Sequence, residues 1–153
     1  MKPLLAAWVM LMLAQPASAA TLPLITSYIS THTGKTIGLK LELAANAHDR
    51  QQGLMYRKTI GSYDGMAFFF RGTAPEKFWM KNTLIPLDIL FVDEAGSIVY
   101  IVTGKPLSEE PVGPDGPVAT VIELQGGRAA RDGIAVGDRV KYDIDRNPKL
   151  IAQ

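Results

Sequence analysis

Residues 87–103 read LDILFVDEAGSIVYIVT, and the fold is decided there. An apolar run, the turn Glu94-Ala95-Gly96 and a second β-branched run make a hairpin, because so short a turn only returns the chain antiparallel. The same grammar extends outward. Residues 25–31 and 36–43 have strand composition, and Ile37, Leu39, Leu41 and Leu43 alternate with Lys40 and Glu42 as in a half-buried strand. The tip Thr33-Gly34-Lys35 between them has hairpin chemistry. Residues 65–70 (GMAFFF) read as a core strand, residues 77–82 as a further strand, and residues 118–124 and 138–144 as the last two. Asn46 can cap a short helix through Met55, and a second short helix covers residues 128–132, ended by Gly133. Residues 105–117 (KPLSEEPVGPDGP) hold four prolines and must be a loop. Many short strands, two short helices and no βαβ alternation predict a mainly β domain, a compact antiparallel sandwich or distorted barrel.

Composition narrows the function. The chain has 153 residues, with 16 Lys plus Arg against 15 Asp plus Glu, two His and no Cys. Without cysteine there is no disulfide framework, thiol nucleophile or thiolate metal site. Balanced charge disfavours nucleic-acid binding, which normally shows as a basic stripe. Lys2, the apolar run over residues 4–14 and the small-residue site Ala17-Ser18-Ala19 read as a secretory signal peptide over residues 1–19, or 1–20. The run is too short to span a bilayer, so export with no membrane span after cleavage is expected, in the periplasm or outside the cell. Residues 20–153 are then one domain of ordinary size, expected as a monomer.

Several fragments imitate known sites and fail. Gly34-Lys35-Thr36 lacks the first glycine of a P-loop, which would fall at Ile29. Asp143, Asp145 and Asn147 begin like a calcium loop, but Pro148 stands where its turn glycine must be. His32 and His48 have no metal-ligand spacing around them and read as surface histidines. No metal and no cofactor are expected.

Three fragments carry polar chemistry. If the helix continues, Arg50, Leu54 and Arg57 fall on one face, so two guanidiniums could grip a carboxylate or phosphate; as structure, one of them would pair with an internal acid. In the extended run from Phe78, Phe78 and Met80 face one side while Trp79 and Lys81 face the other, with Asn82 and Thr83 following. An indole beside an ammonium and an amide resembles the lining of a polar-ligand pocket. Asp88 lies among apolar residues and needs a cation or several N–H donors, for which Lys81, Arg50 and Arg57 are candidates. Glu123 is a lone acid in an apolar strand before Gly126-Gly127, where the backbone can approach a neighbour closely. Asp138 is placed to bond its own backbone as the last strand begins.

Taken together, Arg50-x-x-Gly53-Leu54-Met55-x-Arg57, Gly65-Met66-x-Phe68-x-Phe70 and the run from Phe78 through Asn82 and Ile85-Pro86-Leu87-Asp88-Ile89 resemble the domain-of-unknown-function 192 family. Glu123-Leu124 and Gly133-Ile134-x-x-Gly137-Asp138 agree with that family's end, so the resemblance spans residues 35–145; the small Ala67 departs from it. The resemblance implies a compact mainly β domain, often exported in bacteria. It implies no reaction, substrate or cofactor.

The function expected from the residues is a binding module for a small polar envelope ligand, a carbohydrate or an anionic metabolite, using Arg50, Arg57, Trp79, Lys81, Asn82 and Asp88. A structural or protein-interaction factor of the envelope, presenting the loop around Glu109 and Glu110, is the alternative. Third stands a carbohydrate-active hydrolase or lyase with Asp88 and Glu123 as its paired carboxylates.

Overall fold

The computed structural model describes residues 21–70 and 74–143; the expected signal peptide, Asp145 and Asn147 lie outside them. Its elements are β1 (Leu24–Ser30), β2 (Thr36–Ala44), α1 (Ala47–Gln52), β3 (Gly65–Phe69), β4 (Leu87–Val92), β5 (Ile98–Gly104), β6 (Thr120–Gln125), α2 (Arg128–Asp132) and β7 (Arg139–Asp143). The strands form one seven-stranded sheet in the order β5-β4-β6-β3-β2-β1-β7. The hairpin at residues 87–103 is β4 and β5, with a register irregularity between Phe91 and Val92. Every pair is antiparallel except β2 with β3, which are parallel and joined through α1. One βαβ unit is therefore present where none was expected. Its six-residue helix is too short to print a helical period in the sequence.

The mainly β fold with two short helices follows the sequence closely, and the sheet curls without closing into a barrel. Its edge strands β5 and β7 approach only at one end. There Ser97 bridges Arg139, the Ile98 N–H donates to the Asp138 carbonyl at 2.9 Å, and the Val140 N–H donates to the Gly96 carbonyl at 2.7 Å.

Strands β3, β4 and β6 are buried on both faces. On one face Leu39, Leu41, Leu43, Ala67, Leu90 and Ile122 form a core closed by Ala129 of α2 and by Ile134. On the other, Met66, Phe68, Ile89, Phe91 and Val121 are covered by Leu54, Met80 and Ile85. Among the described residues no regular element supplies that second cover. Phe78 anchors it, with edge-to-face contacts to Phe68 at 5.2 Å and Phe91 at 5.8 Å.

Two expected elements change on folding. The segment over residues 77–82 is not a strand: it forms a single bridge, Phe78 with Val112, through hydrogen bonds of 2.8 and 2.7 Å. The proline-rich loop that supplies Val112 has no ladder to extend. Helix α1 begins as expected, with Asn46 Oδ1 accepting from the Asp49 N–H at 2.9 Å, but stops at Gln52 because Gly53 turns to φ 49°. The close approach expected at Gly126 is to Pro86, whose atoms stand 2.8–3.0 Å from where a Cβ would be.

Gly65 joins β3 to β6 so tightly that a Cβ would lie 2.0 Å from the Glu123 carbonyl oxygen. Gly65→Ala should therefore destabilise by about 3 kcal/mol or more in urea unfolding. At Gly116 a Cβ meets nothing within 4 Å, and Gly116→Ala should stay within about 0.5 kcal/mol of the parent.

Candidate functional site

After α1 the chain turns through Tyr56 at φ 64°, and opposite it the segment from Phe78 turns through Asn82 at φ 55°. For tyrosine this backbone region is costly, and the two turns hold each other. The Tyr56 N–H donates to the Asn82 carbonyl at 2.8 Å, and Asn82 Nδ2 donates to Tyr56 Oη at 2.8 Å. Between the turns lies a recess of about 390 Å³, lined by His48, Gln51, Gln52, Met55, Tyr56, Trp79, Lys81 and Asn82. That volume falls in the range of small-molecule sites.

The alternation read from the sequence survives although the segment is not a strand. Phe78 and Met80 point inward, and the Trp79 indole stands 47% exposed on the wall of the recess. Lys81 Nζ lies 5.1 Å from the indole centroid and 3.8 Å from Glu109 Oε2. The proline-rich loop is tied to this segment by the Met80 N–H donating to the Ser108 carbonyl at 2.9 Å and the Leu107 N–H donating to the Thr83 carbonyl at 3.0 Å.

Beneath the recess, and sharing Gln51, Gln52, Met55 and Trp79 with it, is a cavity of about 40 Å³ also lined by Arg50, Gly53, Phe78, Thr83 and Glu123. Glu123 sits in the middle of the sheet, paired with Met66 on one side and Ile89 on the other, and is 5% exposed. Its Oε2 has no hydrogen-bond partner. Burial pushes its carboxyl up to about 8, against the opposing pull of the Arg57 guanidinium, so the protonated form is favoured at pH 7. Arg57 cannot swing in to neutralise it, because two hydrogen bonds tie it to the buried Glu42, the longer at 3.2 Å.

The residues expected to share a site divide. Trp79, Lys81 and Asn82 line the recess, and Arg50 lines the cavity beneath it while reaching the Ala45 carbonyl at 3.5 Å. Arg57 is not on the helix, which has already ended, and is the arginine paired with an internal acid. Asp88 is elsewhere. It is 2% exposed on the opposite face of the sheet, accepting from Thr103 Oγ1 at 2.7 Å and from the Ala129 N–H of α2 at 2.8 Å. Its partners are a hydroxyl and a backbone donor, not Lys81, Arg50 or Arg57.

Asp88 pairs with Leu124 while Glu123 pairs with Ile89, so the two carboxylates point to opposite faces and do not form the pair a glycosidase needs. Asp138 bonds its own turn as expected, accepting from the Ala135 N–H at 2.7 Å, and also accepts from the His32 N–H at 2.8 Å. The recess residues His48, Gln51, Gln52, Met55 and Tyr56 were not among the ligand-binding residues expected from the sequence, where His48 was read as a surface histidine. The run Gln51-Gln52 ahead of Gly53, polar beside a turn, was the signal available.

The family model DUF192, described as Uncharacterized ACR, matches residues 28–142. A crystal structure of a protein from Sinorhizobium meliloti 1021, described provisionally as a transcription regulator, superposes with a TM-score of 0.77 at 38% identity, covering 82% of this chain and 98% of that one. A protein of unknown function from Novosphingobium aromaticivorans DSM 12444 superposes with a TM-score of 0.74 at 35% identity, covering 83% of this chain and 89% of that one. Among curated proteins none matches this chain.

Two substitutions test the assigned environments. A carboxyl whose folded pKa is raised binds its proton more tightly folded than unfolded, so its stabilising effect is full below about 4.5 and is lost as pH rises through about 8. Glu123→Gln should match the parent near pH 4 and exceed it by about 4 kcal/mol at pH 9 in denaturant unfolding. Asp88→Ala strands the Ala129 N–H and should destabilise by about 2 kcal/mol, whereas Thr103→Val, at an exposed position, should remove less than about 1 kcal/mol.

Proposed function

The chain belongs to the DUF192 family, and from that premise we propose that it is a binding module for a small polar ligand of the carbohydrate type, seated in the recess between α1 and the segment 79–82. The observation that carries this reading is the half-exposed indole of Trp79, set on a wall whose other polar groups include the neutral amides of Gln51, Gln52 and Asn82 and the hydroxyl of Tyr56. A sugar ring offers an apolar face for the indole and hydroxyls for the amides.

An anionic metabolite is served less well. Arg57 is held by Glu42, Arg50 leans on a backbone carbonyl, and Lys81 already faces Glu109. Nor does the chain carry the basic excess that DNA binding calls for, although the Sinorhizobium meliloti relative is described as a transcription regulator. The cell envelope is the location this reading assigns, on the strength of Lys2, the apolar residues 4–14 and Ala17-Ser18-Ala19.

A thermal-shift series with neutral monosaccharides, disaccharides and uronic acids tests the reading. A sugar present at about 100 times its dissociation constant should add about 2.7 kcal/mol, a shift of several degrees. Trp79→Ala should weaken binding about tenfold. Shifts by uronic acids alone, abolished in Lys81→Ala, would move the ligand to the anionic class; no shift with any sugar would defeat the reading and favour a protein partner.

A further inference from the structure

The sheet face beneath the recess carries one feature that packing does not account for. A leucine or methionine at position 123 would fill the row between Met66 and Ile89 without an orphaned polar atom, yet a glutamate stands there with Oε2 unpartnered. The space it faces adjoins the recess, the two sharing Gln51, Gln52, Met55 and Trp79 as walls, and is large enough for about three water-sized atoms. Gly53 leaves that space open: a Cβ there would lie 3.9 Å from Glu123 Oε2 and 3.4 Å from the Phe68 ring.

We propose that this inner cavity is a second subsite, in which the neutral Glu123 carboxyl donates its proton in a hydrogen bond to an acceptor oxygen on a short uncharged substituent of the ligand, such as an acetamido or hydroxymethyl group. The inference rests on the sugar-binding reading of the recess and specifies what such a sugar must carry. The ring stacks on Trp79, and the substituent passes beside Gln52 into the cavity.

The charged groups around Glu123 are consistent with a neutral partner. Arg57 acts on it from the segment after α1 but is engaged by Glu42 of β2; Arg50 of α1 lines the cavity wall; β3 and β4 present the uncharged Met66 and Ile89. An anionic substituent would meet the Glu123 carboxyl itself, and the cation on that wall, Arg50, leans on the Ala45 carbonyl. An acceptor oxygen meets a donor that is present only while the carboxyl keeps its proton.

The second tryptophan of the chain, Trp8, lies in the expected leader, so the protein of residues 20–153 has Trp79 as its single indole. Titrations of that protein with N-acetylglucosamine and with glucose, followed by Trp79 emission at pH 7 and pH 9, read the subsite directly. Because only the protonated fraction binds, affinity should fall about tenfold from pH 7 to pH 9. Adding Glu123→Gln, whose amide still donates but does not titrate, should hold affinity within about twofold across that range. The same loss in the Glu123→Gln protein, or no loss in either, would overturn the inner subsite while leaving sugar binding in the recess intact. No change in Trp79 emission with either sugar would overturn both.

Discussion

Burying both faces of β3, β4 and β6 obliges the chain to supply two covers for one sheet. The first is made economically by curling the sheet so that β1, β2 and β7 wrap their alternating side chains over the centre, with α2 closing the end. The second has no strands left to make it. It is assembled from the end of α1, the turn after it, the segment from Phe78 and the proline-rich loop, pinned by Leu54, Met80 and Ile85. Irregular chain cannot pack as completely as a sheet, and the space it leaves is the recess with its inner cavity. The candidate site is thus a consequence of how the core is closed.

The same architecture separates the acids. Asp88 faces the well-closed side, where α2 brings a backbone donor to it, and its job is to join helix to sheet. Glu123, one strand away and one residue out of register, faces the loosely covered side, where no donor reaches Oε2. Glu42, two strands from Glu123 in the same row, has taken the arginine that would otherwise ionise it. A carboxyl so placed keeps its proton, in the manner expected of an acid in apolar surroundings.

Strand positions were legible because alternation and turn residues are local signals, as in β2 and in the hairpin of β4 and β5. Helix α2 was legible to the residue from its flanking glycines. The segment 77–82 was misread as a strand because its inside–outside alternation is real, but alternation reports burial, not ladder hydrogen bonds. The parallel crossover, the partner of Asp88 and the opposite facing of Asp88 and Glu123 depend on which strands lie side by side. That order, β4 beside β6 across a long loop, has no local signature in the chain. Trp79, Lys81 and Asn82 were found together because they are nearly consecutive; the residues that complete their recess come from α1 and its turn.

The central claim is that Glu123 holds its proton at neutral pH with one oxygen unpartnered beside the small inner cavity. Its carboxyl carbon, followed by NMR from pH 4 to pH 10 and assigned by its disappearance in Glu123→Gln, reads that state without reference to any ligand. A titration midpoint near pH 8 is the expected result. A midpoint near pH 4.5, the value of an ordinary glutamate, would mean that Glu123 is solvated or paired, and the account of the site would be wrong.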